Sequence, residues 1–171
     1  MRLPAPVRAG ARASALLALL LACVAAPAFA DATVFIGSTT TPANRAVKGV
    51  AIGFGVLIVG FEFEYADTNE EVLDNAPGLR TGMANVLLQT PIPIAGIQFY
   101  GTIGAGGYRE QLGEEPNRRQ ETHGGINTGG GMKVTLIGPI RARLDYRLFK
   151  LQGEPLHSTV HRFYAGFNLA F

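Results

Sequence analysis

Apolar side chains occupy every second position in the last stretch of the chain, residues 160–171. Phe163, Ala165, Phe167, Leu169 and Phe171 alternate there with polar or small residues. A side-chain period of two is that of a β-strand, in which successive side chains point to opposite faces. The stretch therefore predicts a strand with one strongly apolar face.

The same alternation recurs upstream and predicts seven more strands. It is clearest at 59–65, where aromatic residues alternate with glutamates. At 79–89 the pattern is weaker, and we expect Val86 and Leu88 to face outward with Ala84; the facing of the first strand stays open. The predicted strands cover residues 33–40, 48–55, 59–65, 79–89, 96–108, 125–136, 140–148 and 160–171.

The connections between these strands alternate in length. Short turns follow strands two, four and six, whereas long polar loops at 67–77, 109–123 and 151–158 follow strands three, five and seven. The glycine run at 129–131 predicts a bulge or close backbone packing, because no helix pattern follows that would make it a phosphate-binding loop.

The first thirty residues have the pattern of a cleaved signal peptide. Basic residues precede an apolar run at 13–25, and Ala28-Phe29-Ala30 supplies small residues for cleavage. We therefore divide the chain into a signal peptide, 1–30, and a mature domain, 31–171. The alternatives are an N-terminal membrane anchor and lipidation at Cys23, the single cysteine.

Removing the signal peptide changes the charge balance. Three of the 15 Lys and Arg residues leave with it, so 12 remain against 13 Asp and Glu, a net charge of −1. The basic character therefore belongs to the targeting segment, and no nucleic-acid partner is predicted. No run of about 18 apolar residues follows Ala30, which excludes a transmembrane helix.

These patterns predict an all-β fold, an eight-stranded antiparallel up-and-down transmembrane β-barrel. An apolar face alternating with glutamates fits a soluble sandwich as well as a membrane barrel. The signal peptide and the aromatic last strand favour the barrel, in which the phenylalanines meet lipid and the glutamates face the lumen. Long loops would then lie outside the cell, and the short turns and both termini in the periplasm.

The ending FYAGFNLAF, the signal peptide and the eight alternating strands together resemble the small bacterial outer-membrane β-barrels, which include the OmpA transmembrane domain, OmpX/Ail and the opacity-type proteins. The resemblance implies an outer-membrane location and a narrow polar interior. It also implies that the barrel-assembly machinery recognises the last strand, at Phe163, Phe167, Leu169 and Phe171. The chain departs from the group in lacking tryptophan, and no wall-anchoring domain is expected to follow.

The inward positions of the predicted strands carry a charge network. An eight-stranded barrel is only wide enough for side chains to fill it, and buried charges require partners. The predicted network is Glu62, Glu64, Lys133, Arg141, Arg143, Asp145, Arg147 and Arg162. We expect a salt-bridged plug. The alternative is a gate or a narrow path that favours anions, because five basic residues face three acidic ones.

An enzyme site would draw on His123, His157 and His161. A barrel that deacylates lipid A would place a histidine and a hydroxyl two residues apart on one lipid-facing strand, as His161 and Thr159 are. No acid is evident to orient the histidine, so no catalytic residue is assigned. Neither a metal site nor a cofactor is predicted.

The predicted outer loops are charged. They could contact lipopolysaccharide phosphates, divalent cations or a partner surface, or simply be solvated. The charged loop residues are Glu70, Glu71, Asp74, Glu110, Glu114, Glu115, Arg118, Arg119 and Glu121. We expect a monomer among outer-membrane lipids and lipopolysaccharide with a structural or surface-interaction role; a small-solute channel and a lipid A-modifying enzyme are the alternatives.

Overall fold

The computed structural model of the chain describes residues 28–113 and 119–171. Eight strands close into one antiparallel barrel, in which sequence neighbours pair and β1 pairs with β8. The predicted eight-stranded up-and-down barrel is confirmed. The strands are β1 (Ala28–Thr39), β2 (Arg45–Val56), β3 (Val59–Thr68), β4 (Gly78–Gln89), β5 (Ile97–Leu112), β6 (Arg119–Ile137), β7 (Ile140–Leu151) and β8 (Thr159–Ala170).

Within the residues described, no helix has the length and apolar character needed to cross a membrane.

Side chains alternate between the lumen and the outer surface along every strand. Phe63 is 57% exposed, whereas its neighbours Glu62 and Glu64 are each 2% exposed. The expected outward facing of Val86 and Leu88 is confirmed, since they are 44% and 62% exposed. The outer wall is therefore apolar and the inner wall largely polar.

Bare positions on the inner wall make room for large side chains. The register pairs Phe35 of β1 with Gly49 of β2 on one side and Gly166 of β8 on the other. An added Cβ at Gly166 would lie 2.8 Å from the Phe35 Cβ. The Phe35 ring stacks on Tyr164 with 4.0 Å between ring centres, so the glycines allow an aromatic pair to fit inside a narrow barrel.

The connections define two ends of the barrel. The turn end carries the two-residue turns at 57–58 and 138–139 and the connection at 90–96. The loop end carries the connections at 40–44, 69–77 and 152–158, together with the end of β5 at Leu112 and the start of β6 at Arg119.

The predicted loop at 109–123 is wrong for most of its length. β5 continues to Leu112 and β6 begins at Arg119, with Arg109 paired to Thr122. Backbone pairing extends this hairpin past the level at which one face is apolar. Both faces carry polar side chains there, and the alternation that marks a strand is lost.

The glycine run of β6 is an element of close packing rather than a bulge. A Cβ added at Gly131 would lie 2.6 Å from the Tyr100 hydroxyl oxygen. The register shift between β6 and β7 instead falls between Thr135 and Ile137.

Most of the predicted signal peptide, including Cys23, lies outside the described residues. β1 begins at Ala28, so the predicted cleavage point after Ala30 falls within this strand. Ala30 and Phe171 exchange two backbone hydrogen bonds of 2.9 Å, which cleavage at that point would remove.

Candidate functional site

The lumen of the barrel concentrates ten charged side chains, each of them more than nine-tenths buried. Each occupies an inward position of its strand. In the described part of the chain, the buried charged residues are Asp31, Arg45, Glu62, Glu64, Glu110, Lys133, Arg143, Asp145, Arg147 and Arg162. Five are acidic and five are basic, so their formal charges cancel.

Two arginines of β7 share two carboxylates at the middle of the lumen. Arg143 bonds Glu62 through both terminal nitrogens, with 3.2 Å from Nη2 to Oε1, and reaches Asp145 at 2.9 Å. Arg147 donates to Glu62 and, through Nε, to Asp145, each at 2.8 Å. Because each of these two guanidinium groups faces two carboxylates, the central charges meet the condition under which buried ions are tolerated.

Two tyrosines connect this centre to the rest of the network. The Tyr100 hydroxyl donates to Asp145 and accepts from Arg143 Nε at 2.7 Å. The Tyr164 hydroxyl donates to Glu64 at 3.1 Å. Arg162 donates to the other oxygen of Glu64 at 3.2 Å, so these hydrogen bonds join four strands, β3, β5, β7 and β8.

Towards the turn end, the network closes on an ion pair between β6 and β1. Lys133 Nζ bonds the Asp31 carboxylate, and both side chains are buried. A cavity of about 10 Å³ beside the pair is also bounded by Glu62 and Gln89, which is room for about one water molecule. The structure does not bring Arg141 into the network: it is half-buried, nearer the turn end than Arg143, and forms no ion pair with any described residue.

A hydrophobic cluster fills the lumen on the loop-end side of Arg162. The guanidinium carbon of Arg162 lies 4.4 Å from the centre of the Phe149 ring, so cluster and network are in direct contact. The cluster is formed by Leu79, Met83, Tyr108, Phe149, Leu151 and Val160. The expectation of a polar lumen is therefore corrected in part, because apolar side chains occupy much of its loop-end region, where Arg45 and Glu110 are also buried.

This hydrophobic cluster forms an apolar cap on the ion network. Two buried charged residues bind loop-end connections next to the cap. Arg45 donates to the backbone oxygens of Pro77 and Thr41, the latter at 2.6 Å. Glu110 accepts a hydrogen bond from the Leu156 backbone nitrogen at 3.0 Å. Glu110 thus lies inside the barrel, not on the solvated loop where the sequence places it.

The lumen contains two layers along its axis. Its ions neutralise one another, and an apolar cap follows along the axis. The predicted excess of two positive charges disappears, because Arg141 is peripheral and the sequence argument leaves out Asp31, Arg45 and Glu110.

His161 and Thr159, the histidine and hydroxyl that the sequence brings together, each have another hydrogen-bond partner. His161 Nδ1 lies 2.8 Å from the Tyr146 hydroxyl, and the Thr159 hydroxyl accepts instead from Lys150 at 2.8 Å. No hydrogen bond joins His161 to Thr159 or to an acid among the described residues. In this structure His161 is therefore not placed to activate the Thr159 hydroxyl.

The exposed loop acids and the last strand take separate parts of the surface. Glu70, Glu71 and Asp74 are exposed in the connection at 69–77. Glu114, Glu115 and Arg118 lie outside the described residues, as do the side chains of Arg119 and Glu121. The proposed assembly-signal residues all point outward; Phe163, Phe167, Leu169 and Phe171 are 51%, 63%, 48% and 74% exposed.

Comparison with known proteins finds relatives of the fold alone. No protein-family model and no curated protein matches the sequence. The N-terminal β-barrel domain of Pseudomonas aeruginosa OprF superposes with a TM-score of 0.65 at 14% identity, over 84% of this chain and 97% of that one. Neisserial surface protein A gives 0.69 at 12% identity over 84% and 97%, and the outer membrane enzyme PagL gives 0.51 at 9% over 81% and 98%. This chain therefore has the fold of the small eight-stranded outer-membrane β-barrels.

Proposed function

We propose that the protein is an integral outer-membrane barrel with a closed lumen and a structural or surface-interaction role. In this proposal the signal peptide 1–30 is removed on export. The turn end faces the periplasm, the loop end faces outward, and outer-membrane lipids and lipopolysaccharide surround a monomer. The barrel-assembly machinery would recognise the outward residues of the last strand.

The apolar outer wall supports insertion in a membrane. Ile36, Ile52 and Phe167 are 72%, 63% and 63% exposed, and they belong to neighbouring strands at one side of the barrel. A water-soluble domain rarely exposes apolar patches of this extent, whereas a lipid-facing wall requires them.

The balanced ion network carries the proposal of a closed lumen. Glu62 and Asp145 each accept from both Arg143 and Arg147. A conducting pore would have to hydrate these ions and move the apolar cap around Phe149. Nothing in that arrangement selects a solute, so a plug is favoured over a gate.

The ordered loop at 69–77 supports a role at the outer surface. Glu71 and Ala76 exchange backbone hydrogen bonds of 2.7 and 2.9 Å. The turn that they close presents Leu73, which is 94% exposed, beside acidic residues. A hydrogen-bonded acidic turn with one apolar side chain at its tip suits contact with another surface.

Single-channel recording in planar bilayers tests the closed lumen. We expect the refolded mature barrel to be silent while an added porin, as a positive control, conducts in the same membranes. Reproducible discrete openings of the wild-type protein would overturn the plug. A change in the mass of lipid A on expression that is lost in His161→Ala would overturn the non-enzymatic role.

A further inference from the structure

Two arginines face each other on the outer wall near the loop end. Arg80 of β4 and Arg109 of β5 are direct cross-strand partners, and both side chains are exposed. Like charges directly opposite on a sheet repel. Asp67 reaches Arg80 at 3.4 Å, but Arg109 has no ion pair with any residue described. Among the described residues, Asp67 is thus the one acid that pairs with these two arginines.

On the turn-end side of the arginines, the outer wall carries two glycines and no side chains. Gly82 and Gly107 are the next outward partners along β4 and β5. A Cβ at Gly82 would meet no atom within 4 Å, and a Cβ at Gly107 would meet only the His123 backbone oxygen at 3.9 Å. Space for side chains exists at both positions. Their absence leaves a groove of about 340 Å³ that the two arginines line.

The groove continues into an apolar one further from the loop end. The next outward pair is Ala84 and Ala105. These alanines line a second groove of about 480 Å³, which shares Gly82 and Tyr65 with the first. Phe63 and Tyr65 form one wall of it. A charged groove near the loop end is thus continuous with an apolar groove nearer the turn end.

The arginine pair stands at the depth where lipid headgroups begin. Arg80 lies nine residues from Gln89, the end of β4 at the turn end. At about 3.3 Å per residue and a tilt of about 40°, that is about 23 Å along the barrel axis. The apolar band of outer-membrane barrels is about 25 Å tall, so the guanidinium groups lie at one edge of the band.

We propose that this groove binds one phosphate-bearing lipid, with the phosphate between Arg80 and Arg109 and an acyl chain over the paired glycines and alanines. Guanidinium groups bind phosphate oxygens through paired, charge-assisted hydrogen bonds. The phosphate relieves the repulsion within the pair, and the chain fills space that side chains leave empty. The inference rests on the proposed membrane insertion. It assigns one lipid contact of the inserted barrel to this groove.

Native mass spectrometry of the refolded mature barrel in detergent tests this site. The probes are dilauroyl phosphatidic acid, the matching diacylglycerol, which lacks the phosphate, and inorganic phosphate. We expect one phosphatidic acid per barrel, bound at least tenfold more tightly than diacylglycerol. Arg109→Gln and Gly82→Leu should each weaken binding at least tenfold, the first by removing charge and the second by filling the groove.

Lys150→Gln is the matched control, because Lys150 is an exposed outward cation of β7 that bonds Thr159 away from the groove. Its binding should equal that of the wild type. The lipid site is overturned if Arg109→Gln and Lys150→Gln bind alike, or if diacylglycerol binds as tightly as phosphatidic acid. It is also overturned if inorganic phosphate displaces the lipid and Gly82→Leu has no effect, which would indicate a site for the free anion.

Folded barrels shift on gels when they are heated. This shift shows whether a negative result comes from failure of the membrane-barrel proposal or from failure of the lipid site. Failure of the membrane-barrel proposal would appear as loss of the shift in the wild type. Failure of the lipid site would appear as an intact shift with unchanged binding. Both substitutions in the groove change exposed positions, so the shift should persist in each.

Discussion

Replacing Glu62 by glutamine removes one charge from the centre of the ion network while keeping the shape of the side chain. The Glu62 carboxylate accepts from Arg143 and from Arg147, and it lies 3.5 Å from the Asn85 amide nitrogen. It is 2% exposed. Bulk water therefore cannot reach the two guanidinium groups to compensate for the lost charge unless the barrel opens.

The size of the loss in stability follows from the buried charges that remain after the substitution. Arg143 and Arg147 would keep Asp145, but the buried charges would then carry one net positive charge. Removing one partner of a buried pair costs about 3–5 kcal/mol, because the other charge stays buried without compensation. The new amide NH₂ would also point a donor at guanidinium donors. We expect the Glu62→Gln barrel to lose about 3–5 kcal/mol of unfolding free energy.

Urea unfolding in lipid vesicles measures this loss. The fraction of folded barrel follows from the heat-modifiable gel shift and, independently, from far-UV circular dichroism. Glu70→Gln is the matched control, since Glu70 is exposed in a loop and should change the free energy by less than about 0.5 kcal/mol. The double variant Glu62→Gln/Arg143→Gln removes one charge of each sign and should lose less than the two single variants together.

A loss below about 1 kcal/mol for Glu62→Gln would refute this account, provided that the barrel remains folded. Such a result would mean that water already screens the central ions. Additive effects in the double variant would argue against a direct interaction between the two side chains.

Two further predictions concern the packing of the lumen. Phe149→Ala should cost about 3–5 kcal/mol in the same unfolding assay, because the ring is fully buried and its loss leaves a cavity beside Arg162; a loss under about 1 kcal/mol would contradict the apolar cap. Gly131→Ala should reduce the yield of heat-modifiable barrel, because the new methyl group would lie 2.6 Å from the Tyr100 hydroxyl oxygen. Gly101→Ala is the control, since a Cβ there would lie 4.0 Å from its nearest neighbour, and equal yields of the two variants would contradict this prediction.

The alternation of side chains predicts the membrane-level part of the fold because lipid on one side and lumen on the other impose opposite polarity. The alternation predicts all eight strands, and it also predicts which residues of the weakly patterned β4 face outward. It fails for the outer part of the β5–β6 hairpin. There Arg109 and Thr122 pair above the apolar wall, and polar or charged side chains stand on both faces, with Glu110 buried inside the barrel.

The same reasoning predicts which face a charged residue occupies but not its depth along the barrel. Seven of the eight predicted network residues are buried in the lumen, whereas Arg141 stands nearer the turn end. Arg45 and Glu110 are missed because they lie where the strands extend beyond the predicted bounds. Asp31 is missed because it directly follows the predicted cleavage point.

The apolar cap is the feature that the sequence pattern conceals most completely, and it changes what neutralising a lumen charge should do. Leu151 and Val160 join Phe149 from two strands, and an apolar residue at an inward position looks locally like a break in the pattern. If the ion network alone closed the lumen, Glu62→Gln would weaken the barrier and produce conductance. Because a second, uncharged layer lies beyond Arg162, the variant should instead lose stability and stay silent in planar bilayers. Conductance that appears in Glu62→Gln without loss of stability would show that the cap does not seal the barrel.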